Sequence, residues 1–409
     1  MPEIVITGLG AVSPYGVGVA ALWEGLLRGE TAIAPLDLFD TSGHRTRIGG
    51  QVPEAPRGLE RERDAAGRAE RLSRTDRFAI DAAREALADA GFAQDAPELR
   101  RAGLFFGSST GGMFEAERVL LADPTSALAR RFSHVGGQVI CAPAIALARD
   151  LALGGPVETV TSACSASTMA LEAALMSLES GEVELAIAGG ADALCELTYS
   201  GFNSLRAIDE RPARPFRADR EGLSIGEGSG MLVLETAAHA RARGATVLAV
   251  LAGAGSSCDA YHMTAPHPEG KGAIQALERA LGAADRGAVA FVNAHGTGTP
   301  HNDVAEAQAL RAVLGERLAD VAVTSTKGAV GHLLGACGAL EAVVTVRGLV
   351  EGVVPQTPGD GPVDPEAGVA LVLGAPARPA PCAAALSTNL AFGGANAALH
   401  LRAAGTEGA

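Results

Sequence analysis

VETVTSACSASTMALEAAL, residues 157–175, and VAVTSTKGAVGHLLGACGALEAV, residues 321–343, are two versions of one pattern. Each opens on β-branched residues, turns through Thr-Ser, and enters a helix of small residues carrying Ala-Leu-Glu-Ala. One design used twice divides the chain into two related halves, 1–250 and 251–409. Outward from these stretches, short β-branched runs alternate with Ala/Leu-rich helical ones. Glu3–Thr7, Gly103–Phe106, Val157–Thr161, Glu184–Ala188, Met231–Leu234, Val247–Leu251, Ala290–Asn293 and Val321–Ser325 read as strands. Ser73–Ala90, closed by Gly91, reads as a helix, as do Ser165–Leu178, a run from about Val304, and Gly335–Leu349. This alternation predicts an α/β fold with sheets buried between helical layers. Gly58–Glu70 is charged and expected at the surface, and Pro355–Pro365 is a Pro/Gly-rich loop.

A chain of 409 residues is too long for one small core. Its hydrophobic share of 47% and charged share of 20% are those of a soluble globular protein. The formal net charge of −14 excludes a broad nucleic-acid-binding surface. Lysine occurs only as Lys271 and Lys327, so the positive charge is almost all arginine. The opening MPEIVITGLG has no basic segment followed by an apolar run, and no uncharged stretch approaches a membrane span. Six scattered cysteines without a C-x-x-C pair point away from both zinc and disulfides, so a reducing cytoplasm is expected. Gly8-Leu9-Gly10 after the first strand resembles half a dinucleotide motif, but Ser13 stands where its third glycine belongs. No nucleotide, redox cofactor or metal is therefore expected.

Three signals carry chemistry. Cys164 follows a strand and opens a helix, where unpaired N–H groups and the positive dipole end favour a thiolate. A small buried cysteine is the plainer alternative. His295 lies in N-A-H-G-T-G-T at a strand end, where glycines let backbone approach a ligand; a purely structural histidine reads as well. His332 lies in S-T-K-G-A-V-G-H, five residues after the rare Lys327, which could orient a neighbour or simply sit in a surface turn. Together they supply one nucleophile and two imidazoles, each at a strand exit, where α/β folds place active sites.

V-T-S-A-C-S-A-S, H-G-T-G-T, K-G-A-V-G-H-L-L-G-A and N-L-A-F-G-G-A-N, in that order, resemble the signature blocks of the β-ketoacyl-[acyl-carrier-protein] synthases of type I/II. I-T-G-L-G-A-V-S-P, R-P-F-R-A-D-R-E-G-L-S-I-G-E-G and D-A-Y-H-M-T-A-P extend the resemblance over essentially the whole chain. It implies the thiolase-like fold, two related halves in a five-layer α-β-α-β-α sandwich. It implies decarboxylative condensation of a Cys-bound acyl chain with malonyl carrier protein, without a cofactor or metal. Cys164 would be the nucleophile. His295 and His332 would promote decarboxylation, and Lys327 and Glu306 would form a pair supporting them. The N–H groups of Cys164 and Phe392 would form the oxyanion hole, with Phe392 also a gating aromatic. Substrate contacts would fall to Phe392, Thr110, Met113, Thr297 and Thr299.

The chain departs from the family pattern in several places. Leu390-Ala391 replaces the usual Phe-Gly, Arg217 stands where Asp is common, and Leu223-Ser224 replaces larger apolar residues. Thr110 is smaller and more polar than usual. These departures suggest an acyl substrate of polyene or polyketide type. The partners implied are an acyl carrier protein and a second subunit, either a like copy or a chain-length factor. The alternative reading, a non-catalytic chain-length-factor-like subunit, conflicts with the presence of Cys164 and both histidines. Because carrier protein and chain are both acidic, docking needs a local basic patch, for which Arg68, Arg71, Arg74 and Arg206 are candidates.

Overall fold

The computed structural model describes residues 1–53, 62–63, 69–70, 72–126, 129–130, 135 and 137–405. Five strands of the first half are β1 (Ile4–Ser13), β2 (Gly103–Gly107), β3 (Val157–Val160), β4 (Leu185–Asp192) and β5 (Gly228–Thr236). They lie in the order β3-β2-β4-β5-β1. Five strands of the second are β6 (Ala249–Cys258), β7 (Val289–Asn293), β8 (Ala322–Thr324), β9 (Ala384–Leu390) and β10 (Ala395–Ala403). Their order, β8-β7-β9-β10-β6, is the same order repeated. Directions repeat too. β2 is parallel to β3 and β4, as β7 is to β8 and β9. The remaining pairs, β4–β5, β5–β1, β9–β10 and β10–β6, are antiparallel. A short antiparallel pairing of Val5 with Val250 and Ile6 with Ala249 joins the two half-sheets.

Helices complete a five-layer sandwich. Helix α1 (Arg74–Asp89), started by a reciprocal Ser73–Asp76 capping box, covers β1 and β5 from outside. Helices α2 (Ala166–Ser180) and α5 (Cys337–Glu351) fill the middle, between the half-sheets. Helices α3 (Lys271–Leu281) and α4 (Pro300–Leu314) pack outside the second half. The middle layer explains the taste for small residues. A Cβ at Gly338 of α5 would stand 1.8 Å from Thr168 Oγ1 of α2, and one at Gly230 of β5 would stand 2.3 Å from Leu340 N. A helix buried on all sides must be apolar all round, and α5 is buried from Cys337 through Val346.

The strands and helices read from the sequence are present, several strands running beyond their β-branched cores, but β9 and β10 are not among those expected. β1 runs on through Gly8–Ser13, where pairing to β5 continues past a bulge. Pro355–Pro365 is a loop, bound by Arg217, whose guanidinium donates to the carbonyls of Gly359 and Gly361 at 2.8 Å each. Most of the charged segment Gly58–Glu70 lies outside the described residues.

Candidate active site

The parallel strands of each half end facing one another, and their exits build the site. β3 stops at Val160, and the chain turns sharply, with Ala163 in the left-handed region at φ 50°. That conformation costs a non-glycine residue roughly 1–2 kcal/mol, so the surroundings must hold it. Ser109 Oγ donates to the Ala163 carbonyl (3.1 Å) and Ser165 Oγ to the Ser162 carbonyl (2.9 Å). Cys164 thereby sits just before α2, buried, with the backbone N–H groups of Phe392 and of Cys164 itself directed at its sulfur. Burial pushes the thiol up to about 11, against the pull of those N–H groups and the Lys327 charge. A helix start favours the anion, but desolvation in this enclosed position outweighs it.

β7 and β8 deliver the histidines. The two rings meet edge to face, centroids 5.4 Å apart at 87°. Cys164 Sγ and one nitrogen from each ring lie within 4.8 Å of one another. The tautomers follow from the neighbours. Leu334 N–H donates to His332 Nδ1 (3.0 Å), so that nitrogen carries no proton and Nε2 does. Asn389 Nδ2 donates to Glu341 Oε2 (2.8 Å) and lies 3.4 Å from His295 Nδ1. A carboxylate only accepts, so the amide's NH₂ faces this side, and His295 Nδ1 is an acceptor as well. Both rings therefore present Nε2–H. Both are neutral. Burial, then the Lys327 charge, lowers His332 to about 3 and takes His295 well below the ordinary histidine value.

Lys327 is buried and ion-paired to Glu341, not to Glu306. The expected Lys327–Glu306 pair is corrected accordingly. Burial disfavours the ammonium, but Glu341, with Cys337 and Glu306 at longer range, holds its pKa above the ordinary lysine value. Glu306 does different work. Its carboxylate accepts the N–H of His295 (2.7 Å), the N–H of Gly296 (2.8 Å) and the hydroxyl of Thr388 (2.6 Å). It fixes the strand exit that carries His295, and burial pushes it up to about 7.

Cys164, His295 and His332 line a cavity of about 390 Å³, together with Thr297, Thr299 and Phe392. Phe392 stacks on Phe202 with centroids 5.7 Å apart. Ala391, where glycine is usual, sits at φ −95°, a conformation open to any residue. Leu223 lines the same cavity, and the Ser224 carbonyl accepts the His332 N–H at 2.7 Å. Thr110 and Met113 are not among the lining residues. Thr110 turns its hydroxyl to Asp192 Oδ1 (2.8 Å), and the Met113 sulfur faces Gln138 Nε2 at 3.7 Å. The basic patch is corrected too. Arg74 is buried against Glu227 and so belongs to no exposed patch. Arg68 and Arg71 lie outside the described residues. Arg206 is exposed at the cavity mouth.

Three residues central to this frame, Glu341, Asn389 and Asp192, carry no role in the sequence reading. Asp192 accepts from Ser108 Oγ, Ser109 N, Thr110 N and Gly335 N at 2.7–2.9 Å, tying the β2 exit to the turn beyond His332. A thiol and two imidazoles also make a donor set suited to zinc. Here His332 does not fit that use. Nε2 would have to give up its proton, and Nδ1 cannot take it while accepting from Leu334.

The chain is similar to known proteins over nearly its whole length. Residues 1–240 match the β-ketoacyl synthase N-terminal domain and residues 248–359 the C-terminal domain. The 3-oxoacyl-[acyl-carrier-protein] synthase 2 of Synechocystis sp. is 37% identical, over 98% of each chain. Among solved structures, the ishigamide ketosynthase/chain length factor superposes with a TM-score of 0.88 at 32% identity, covering 99% of this chain and 100% of that one. A type II PKS acyl-carrier protein in complex with its ketosynthase bound to the hexaketide gives 0.87 at 27%, covering 98% and 100%. No helix among the described residues is long and apolar enough to cross a membrane. The chain belongs to the β-ketoacyl synthases, the acyltransferases of condensation in fatty acid and polyketide synthesis.

Proposed function

We propose that Cys164 is the acyl-accepting nucleophile and that His295 and His332 activate malonyl-[acyl-carrier protein]. The observation that carries this is a nitrogen from each of two imidazoles within 4.8 Å of one buried sulfur. The Cys164 thiol attacks an acyl thioester, and its proton leaves with the carrier thiol. The N–H groups of Cys164 and Phe392 receive the tetrahedral oxyanion. Malonyl carrier protein then places its thioester oxygen against the two imidazole N–H groups. CO₂ leaves, the enolate oxygen takes the negative charge, and neutral donors stabilise it without quenching it by protonation. The enolate carbon attacks the Cys164 thioester, the C–S bond breaks, and the departing thiolate takes a proton from solvent. The product is a 3-oxoacyl carrier protein two carbons longer. Lys327 and Glu306 act as positioning residues, and Thr297 and Thr299 offer hydroxyls to the incoming pantetheine arm.

We further infer a carrier protein docking at the mouth beside Arg206, a paired second subunit (a like copy or a chain-length factor) and a cytoplasmic setting, in keeping with six unpaired cysteines. The two halves divide near residue 250. Leu223, smaller than the usual aromatic, leaves room for a polyene or polyketide chain. The test is intact-protein mass spectrometry after incubation with carrier proteins bearing fatty, polyene and polyketide acyl groups. A mass gain on the parent, absent from Cys164→Ala, is expected. Loading on both proteins, or on neither, overturns the assignment.

A further inference from the structure

The second buried thiol of the site has no role in the mechanism above. Cys337 opens α5 from inside the core, 2% exposed. Its sulfur lies 3.4 Å from His332 Nδ1. The Leu333 N–H is directed at that same sulfur, so the sulfur is already an acceptor, and its own hydrogen is free to be given. The ring nitrogen it faces is the one that accepts the Leu334 N–H at 3.0 Å. Leu334 holds a left-handed φ of 54°, so the turn after His332 is bent to bring both donors onto one atom. We propose that Cys337 is a positioning residue for the condensation. Its S–H donates to His332 Nδ1 and, with the Leu334 N–H, locks the ring in the neutral Nε2–H tautomer.

Nδ1 is the only nitrogen of this tautomer that could pick up a second proton. Protonation there would cost both incoming hydrogen bonds at a buried position, where unpaired polar groups are costly. A thiol suits the place because it gives a hydrogen without charge. Burial, the first cause, keeps it protonated well above the ordinary cysteine value, despite the nearby Lys327. The other groups facing the ring act differently. Lys327 opposes a charged imidazole, His295 and Cys164 are neutral neighbours, Glu341 is spent on Lys327 and Asn389, and Asp192 reaches the turn only through the Gly335 N–H.

This inference rests on the role given to His332, and the test separates the two. Cys337→Ala and Cys337→Ser are compared with the parent in three measurements: acyl loading of Cys164, malonyl decarboxylation against pH, and the ¹⁵N spectrum of histidine-labelled protein. Loading should stay within about twofold, because His332 takes no part in it. Decarboxylation kcat of the Ala variant should fall several-fold with KM unchanged, and its acid limb should move to higher pH. The His332 Nδ1 resonance should shift toward that of an unbonded imidazole nitrogen. The Ser variant should lie closer to the parent in acid limb and spectrum. A parent-like acid limb and Nδ1 resonance in Cys337→Ala overturns the proposal. So do equal losses in loading and decarboxylation, or Ala and Ser variants displaced alike, either of which makes Cys337 a matter of packing. A shifted resonance without any change in decarboxylation keeps the hydrogen bond but overturns its part in the reaction, while the role of His332 stands or falls with His332→Ala.

Discussion

After its third strand, each half leaves the sheet by a different route. In the first half β3 ends at Val160 and α2 begins at Ala166, so the chain makes one strained turn and delivers Cys164 to a helix start. In the second half β8 ends at Thr324, but α5 waits until Cys337. The extra length folds as a short helix, Lys327–Val330, and a 3₁₀ turn, Leu334–Ala336. It carries an ammonium and an imidazole into the same core. The short exit supplies a nucleophile with no charged side chain of its own; the long exit supplies the field that acts on it, since Lys327 opposes the Cys164 proton and disfavours charge on both histidines. The second strands repeat the lesson. Asp192 gathers the N–H groups of Ser109 and Thr110 after β2, and Glu306 gathers those of His295 and Gly296 after β7. Each half holds its loop with a buried carboxylate, and the sequence between decides which chemistry is displayed.

The comparison breaks most easily at the short exit. Cys164→Ala should lose acyl loading and condensation by on the order of 10⁴-fold or more, as nucleophile deletions do. Replacing Cys141, Cys195, Cys258 and Cys382 should leave loading intact. Condensation by the Ala variant would mean the nucleophile lies elsewhere. The long exit should answer first in stability. Lys327→Met strands a buried Glu341 carboxylate and should cost about 3–5 kcal/mol in urea unfolding. Adding Glu341→Gln should recover part of that loss. Strict additivity of the two changes would show that the pair is not coupled.

Kinetics should then separate the exits. His295→Ala and His332→Ala should each reduce condensation about 100-fold, the loss typical of one oxyanion donor, while loading at Cys164 persists. Full condensation in either variant would remove that ring from the mechanism. Acid should tell the same story. An unfolded histidine takes up its proton near 6.5, whereas His332 does so at about 3 and His295 also far lower. The folded state therefore has its full share of stability above pH 6.5 and loses it as pH falls toward 3. For His332 alone the loss by pH 5 is about 2 kcal/mol. His332→Asn should flatten that decline in urea midpoints measured from pH 7 to 5. An unchanged slope would place the acid sensitivity elsewhere.

Much of this was legible in the sequence because its signals are local. A cysteine between a strand and a helix, and a histidine after a strand, declare their topological place within a few residues. What stayed hidden was decided across the fold. Glu341 lies inside the repeated Ala-Leu-Glu-Ala, where it reads as one helical polar residue; only the turn of α5 brings it under Lys327. Glu306 had a plausible charge for that lysine but is occupied by backbone N–H groups. Arg74 read as surface because a charged residue in the first turn of a helix is usually solvated, yet Glu227 from β5's approach draws it into the core. The Cys164 thiol is the case where a local rule points the wrong way, since helix polarity is visible in sequence and the depth of burial is not.

Thr110 offers the finest test, because the family resemblance and the fold assign it different work. As part of an acyl pocket floor, its size would set the longest chain accepted. In the structure its hydroxyl is one of several donors on Asp192, and the others remain if it is removed: Ser108 Oγ, Ser109 N, Thr110 N and Gly335 N. Thr110→Val keeps shape and volume and deletes only that donor. The loss should be about 1 kcal/mol in urea unfolding, the net worth of one buried hydrogen bond among several to the same group. The distribution of product lengths should stay that of the parent, since the side chain is not in the wall of the cavity that holds Cys164. A changed length distribution at unchanged stability would return Thr110 to the substrate. Because Asp192 also holds the Gly335 N–H beyond His332, a slower decarboxylation in Thr110→Val with normal loading would show the first half's second exit steering the imidazole of the second half.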